Sequence, residues 1–304
     1  MREEQLIVEP DDGAAPVLNA IRHAKRTIDL TIFRFDHTDV TAALEAAVKR
    51  GVQVRTLIAF SNRGGTHGLR QLEWKMLQAG ATVSRTNNDL VRYHAKLMIV
   101  DERELHVCAF NYTRTDLKSR SFGVITTNQR LVKQGMKLFE ADLAHRPYDG
   151  GFEGLVVSPD NARERLETFV RGAHHELLIY DTKLTDPRIL RVLDERARAG
   201  VDVRIIGHVG KHAELPAAKL HHCRLHLRAI IRDSTVAFVG SQSLRKPELD
   251  ARREVGMFVH DPDLVKRIQE TFMRDWPADA GGVSPAVERM GLPLKAKGIA
   301  RPTA

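Results

Sequence analysis

The chain has 304 residues, 42% of them apolar and 28% charged, with a formal net charge of +8 (47 Lys+Arg against 39 Asp+Glu). That length accommodates two domains with a core each, and the composition excludes a collagen-like or intrinsically disordered chain. Two cysteines exclude a disulfide framework, no apolar run reaches the ~20 residues of a membrane span, and the basic excess favours anionic partners.

Residues 14–27 place Val17, Ile21 and Ala24 at helical spacing, and Ile28–Phe33 then alternates as a strand. Helical spacing returns over 38–50 and stops at Gly51, a residue suited to a helix C-terminus; Val52–Ile58 reads as the next strand. Gly64, Gly65 and Gly68 are expected in a flexible loop, because they lack a P-loop pattern. His145–Gly151 is turn-rich and predicts a boundary. The same order follows: helix 161–174, strand 176–180, helix 187–198, Gly200, strand 201–206. Alternating helices and strands predict an α/β architecture with mixed or parallel sheets. The expected organisation is a first domain over 1–149, a second over 150–279 and a flexible tail over 280–304. Arg2, Glu3 and Glu4 have no apolar stretch behind them. No secretory signal is therefore expected, and the location predicted is cytoplasmic, or peripheral to a membrane.

The chemistry lies in a doubled pattern. His94-Ala95-Lys96 is followed by Asp101, and His226-Leu227-Arg228 by Asp233, giving H-x-(K/R)-x4-D twice. Residues two apart on a strand share a face, so each imidazole would point with its cation into one space. The copies are in register with a larger repeat: 226 − 94, 233 − 101 and 243 − 111 all equal 132, while Ser121 to Glu254 and Asp142 to Asp275 are 133 apart. Upstream, Gly51–Arg55 and Gly200–Arg204 are 149 apart. A period this long means a duplicated domain rather than a solenoid unit. Cys108 and Cys223 are expected to be small residues in or near the core. The cluster His221, His222, Cys223, His226 fits no common zinc spacing, and no metal is expected there.

The two motifs, with Cys108-Ala109-Phe110-Asn111 and Gly240-Ser241-Gln242-Ser243 trailing them and Glu254 beyond, resemble the phospholipase D superfamily over roughly residues 5–276. The resemblance implies two duplicated α/β/α sandwich domains with mixed sheets and one composite active site between them, in a monomer of two fused halves. It also implies a two-step reaction through a covalent phosphohistidine, with no metal or other cofactor. One imidazole, titrating near neutrality, attacks phosphorus while the other acts as general acid. Following the family's order, His94 is the expected nucleophile and His226 the acid. Lys96 and Arg228 would hold the phosphoryl oxygens, with Asn111, Ser241 and Ser243 donating hydrogen bonds. Glu254 would orient an imidazole, as a triad carboxylate does. Asp101 and Asp233 complete the two catalytic motifs and are expected to brace them.

The sequence departs from the family at Arg228 (Lys expected), Ser243 (Asn), Ala109 (Ser) and Ser121 (Glu). Arginine grips phosphate through a planar fork where lysine is a point charge. Each half lacks something the other retains, which predicts specialised halves sharing about one full set of groups. The expected function is a phospholipase D-type phosphoric diester hydrolase that cleaves or transfers the phosphatidyl group of a phospholipid, with peripheral membrane contact. Two alternatives stand beside it: a metal-independent nuclease of the same superfamily, and a catalytically weak phosphate- or membrane-binding protein. The basic charge also suits nucleic acid, but an aromatic content of 6% is thin for base stacking.

Overall fold

The computed structural model describes residues 3–61, 66–151, 153–210 and 215–277. The first half runs β1 (Glu4–Glu9), α1 (Ala15–His23), β2 (Thr27–Ile32), α2 (Thr38–Lys49), β3 (Gln53–Ile58), α3 (His67–Gln78), β4 (Thr82–Arg85), β5 (Arg92–Tyr93), β6 (Leu97–Val100), β7 (Glu104–Cys108), a 3₁₀ turn at Asp116–Lys118, β8 (Ser121–Thr126) and α4 (Gln129–Leu143). The second runs β9 (Val156–Ser158), α5 (Ala162–Arg171), β10 (Glu176–Leu184), α6 (Pro187–Arg198), β11 (Asp202–Val209), β12 (Ala217–Ala218), β13 (Arg228–Arg232), β14 (Val236–Gly240), α7 (Lys246–Asp250), β15 (Arg252–Val259) and α8 (Pro262–Asp275). Gly51 and Gly200 sit at φ +88° and +90° just past α2 and α6, where a side chain would be strained. Gly68, expected in a loop, lies in the first turn of α3, and Gly64 and Gly65 fall outside the described residues, as does the tail 280–304.

Each half builds a mixed sheet. The first has strand order β1-β8-β7-β6-β2-β3-β4, and the second β12-β11-β10-β13-β14-β15-β5 with β9 also on β15. The repeat holds down to register: Ile28 faces Val100 as Leu177 faces Arg232, and Cys108 faces Gly123 as Gly240 faces Gly256. Strand alternation sorts the side chains into layers. Leu97 and Ile99 of β6 join a central core, while Met98 and Val100 face α1, α2 and α3. That central core also takes Ala229 and Ile231 of β13, with Phe139 of α4 and Phe272 of α8, so it is common to both halves. A third cluster lies under α5, α6 and α7. The layering is therefore helices, sheet, shared helices α4 and α8, sheet, helices: two α/β/α sandwiches built on a common core.

The halves also exchange polar contacts across a pseudo-two-fold. Arg120 Nε of the first half donates to Asp275 Oδ2 of the second at 2.7 Å, and Arg253 Nε of the second donates to Asp142 Oδ1 of the first at 3.0 Å. Both partners differ by 133 (253 − 120 and 275 − 142), so these are one contact made twice. All four side chains are buried. Strand β5 runs parallel to β15 of the other half, Arg92 opposite Arg252 and Tyr93 opposite Arg253.

Candidate active site

Each histidine is suspended from the opposite half. The His94 N–H donates to the Arg253 carbonyl at 2.8 Å, and the His226 N–H to the Arg120 carbonyl at 3.0 Å. The arginines of the crossed ion pairs therefore also fix the two histidine backbones. Both motifs sit at the starts of the central antiparallel strands β6 and β13, with His94, Lys96 and His226 buried and Arg228 partly so.

His94 Nδ1 lies 2.8 Å from Glu254 Oε2, and Glu254 is fully buried. That contact assigns the proton to Nδ1 and turns the Nε2 lone pair toward the site. Lys96 Nζ stands 2.8 Å from His94 Nε2 and donates to the His94 carbonyl at 2.7 Å. The Phe33 ring meets the imidazole edge-on with centroids 4.8 Å apart. In the other half-site, Arg228 Nε donates to Ser243 Oγ at 3.0 Å, and Arg228 Nη1 is buried without a hydrogen-bond partner among the described residues. His226 Nδ1 lies 3.5 Å from Asp116 Oδ2, within ion-pair range and long for a hydrogen bond.

The electrostatics follow from burial among cations. Burial and then Lys96, Arg228 and Arg92 push His94 well below the usual imidazole range. Burial and then Arg228 lower His226, against the pull of Asp116. Burial lowers Lys96 to about 7, with Glu254 opposing and Arg228 reinforcing the shift. Glu254 is raised by burial, although Lys96 draws it down. Burial among cations therefore disfavours the charged form of both imidazoles.

Not every expected residue meets the site in the same way. Asp101 and Asp233 point elsewhere: they close the far ends of their strands, five residues beyond the cations and roughly 17 Å away at ~3.3 Å per residue. Asp101 accepts backbone N–H groups of Lys25, Arg26 and Thr27, with its shortest contact 2.6 Å; Asp233 does the same for His174, His175 and Glu176. Both adopt positive φ, 52° and 51°, and reverse the chain there. Both motif aspartates thus bind backbone at the far ends of their strands, away from the histidine–cation pairs. Asn111, Ser241 and Ser243, expected as hydrogen-bond donors, are each engaged within the protein. Asn111 Nδ2 donates to Asp116 at 2.7 Å, Ser243 accepts from Arg228, and Ser241 Oγ accepts the Val255 N–H at 3.1 Å.

Sequence reasoning missed Asp116 and the arginines at the rim. Arg92 and Arg224 each precede a histidine by two residues and differ by 132, so the doubled pattern is really R-x-H-x-(K/R). That extension was legible in the sequence. Asp116 was legible in the same way, since the offset of 132 pairs it with Glu248 and a carboxylate recurs there in both halves, on the 3₁₀ turn and on α7.

Among folds, two duplicated halves that close one site between paired histidines define the phospholipase D superfamily. A family model described as "Cardiolipin synthase, PLD-like domain" matches residues 17–143 and 166–276, and the chain belongs to that family. Polyphosphate kinase 1 of Chlorobaculum tepidum is 25% identical over 311 residues, covering 87% of this chain and 43% of its own length. The chain thus spans less than half the length of the curated relatives it matches first. Polyphosphate kinase from Porphyromonas gingivalis superposes with a TM-score of 0.74 at 21% identity, over 90% of this chain and 50% of that one. Phosphatidylserine synthase of Haemophilus influenzae superposes at 0.71 with 13% identity, over 90% and 86%. Both likenesses concern the fold. No helix among the described residues is long and apolar enough to cross a membrane.

Proposed function

We propose that the protein is a phosphodiester-cleaving or -transferring enzyme working through phosphohistidine, with a phospholipid as substrate. The observation that carries the chemistry is the pair of buried imidazoles, each facing a carboxylate and each two residues from a cation. His94 is the nucleophile: with its proton held on Nδ1 by Glu254, Nε2 attacks phosphorus and the P–O bond to the leaving group breaks. His226 gives its proton to that oxygen and regains one from the water or alcohol that resolves the P–N bond. Lys96 and the unpartnered Nη1 of Arg228 neutralise the non-bridging oxygens. The phospholipid assignment rests on a cavity of about 390 Å³ beside the site, lined by Phe33, Phe35, Leu69, Leu72, Arg34 and Lys75 among others. Phe33 is shared with His94, and walls that combine apolar side chains with Arg34, Lys75 and Asp36 suit an amphiphilic substrate.

A second reading, phosphoryl transfer along polyphosphate, is favoured by the 25% identity to a polyphosphate kinase over 87% of the chain. One experiment separates them. Phosphatidylcholine and phosphatidylglycerol vesicles, inorganic polyphosphate with ADP, and plasmid DNA in EDTA are offered to the protein and to His94→Ala, and phosphohistidine is trapped by acid-free quench. Lipid turnover with a label lost in His94→Ala is expected. ATP formation or DNA nicking without lipid turnover would reassign the substrate, and a label surviving in His94→Ala would overturn the nucleophile.

A further inference from the structure

Glu254 reaches His94 from the opposite half, so the pseudo-two-fold places its counterpart, Ser121, toward His226 (254 − 121 = 133). No carboxylate is there. Ser121 Oγ donates to the His226 carbonyl at 2.8 Å instead. The neighbouring strand has exchanged residues too: Glu254 pairs with Ser158, whereas Ser121 pairs with Glu9 (158 − 9 = 149). Glu9 does not make good the lost charge. Burial raises its pKa to about 8, so it is protonated near neutrality.

Asp116 occupies the vacated role from another element. It stands on the 3₁₀ turn five residues ahead of β8, with Oδ2 3.5 Å from His226 Nδ1. Its orientation is set by three donors: the Asn111 N–H at 3.0 Å, Asn111 Nδ2 at 2.7 Å and Arg224 Nη1 at 2.8 Å. We propose that Asp116 is the positioning residue of His226, serving this half-site in the absence of a carboxylate at position 121. The proposal rests on the histidine mechanism above and specifies how its acid is held. Burial, Arg228, Lys96 and Arg224 all disfavour the imidazolium of His226, and Asp116 is the group that favours it. Glu254, fully buried and at hydrogen-bonding distance, holds His94 in one tautomer. Asp116, more distant and shared with a half-exposed arginine, leaves His226 free to exchange its proton. The division of labour between the histidines follows from this difference.

The test uses two probes, a p-nitrophenyl phosphodiester, whose leaving group departs without a proton, and an alkyl phosphodiester, which needs one. Asp116→Asn should slow alkyl cleavage roughly 100-fold and aryl cleavage by less than about tenfold. The triple variant Asp116→Asn/Glu9→Ser/Ser121→Glu transplants the Ser158–Glu254 arrangement and should recover at least tenfold of the alkyl rate. Equal slowing of both probes, an unchanged alkyl rate, or no recovery in a triple variant with native circular dichroism would overturn the proposal. If the triple variant does not fold, the ratio of the two probes in Asp116→Asn decides. Absence of phosphohistidine in the unaltered protein would instead overturn the underlying mechanism.

Discussion

Replacing Arg120 by methionine should destabilise the protein by about 3–5 kcal/mol, the cost of orphaning one member of a buried ion pair. The Arg120 side chain donates to Asp275 through Nε (2.7 Å) and Nη2 (3.2 Å) and to the Glu9 carbonyl through Nη1 (2.8 Å). Its side chain is 6% exposed and that of Asp275 2%, so water does not replace what is lost. Asp275 would keep the Tyr180 hydroxyl at 2.7 Å, which compensates only in part. Against a total stability of roughly 5–15 kcal/mol the loss is large. Urea unfolding followed by circular dichroism measures it. Arg120→Met/Asp275→Asn should be less destabilised than Arg120→Met alone, because the stranded charge is gone. The pseudo-symmetric Arg253→Met should behave alike, since Asp142 is as deeply buried. A change below about 1 kcal/mol in Arg120→Met, or a double variant worse than the single, would refute the reasoning.

Lys96, lowered to about 7 chiefly by burial, loses its charge as pH rises through neutrality. The alkaline limb of kcat/KM, which reports the free enzyme, should therefore fall near pH 7 and move upward by more than two units in Lys96→Arg. Asp101→Asn should lower stability by about 1–3 kcal/mol while KM stays unchanged, because the side chain accepts three backbone N–H groups far from the site; a raised KM would contradict its bracing role. Glu9, with its pKa raised from 4.5 to about 8 chiefly by burial, binds its proton more tightly folded than unfolded. Its contribution to stability is therefore lost as pH rises from 4.5 to 8. Glu9→Gln should gain on the unaltered protein across that window by up to ~1.4 kcal/mol per pH unit, and parallel stability curves would exclude it.

The duplication, the alternating α/β order and the two histidine–cation pairs were legible in the sequence because they are local or repeated. A helix at 187–198 shows in its apolar spacing, and a repeat offset needs no coordinates. Even the Asp142/Asp275 echo was visible, although its meaning was not: each aspartate pairs with an arginine of the other half. Only the tertiary structure shows which carboxylate lies against which histidine. Spacing along the chain cannot say that Glu254 reaches His94, 160 residues away, rather than the nearer His226. Nor can it say that Asp116 lies against His226 while its repeat counterpart, Glu248, is taken up by Arg245 and Arg252. Repeats are written in the linear order of residues, whereas a composite site depends on how two sheets meet across a shared core. The half-sites are equal in sequence position and unequal in space, and the inequality arises at that interface.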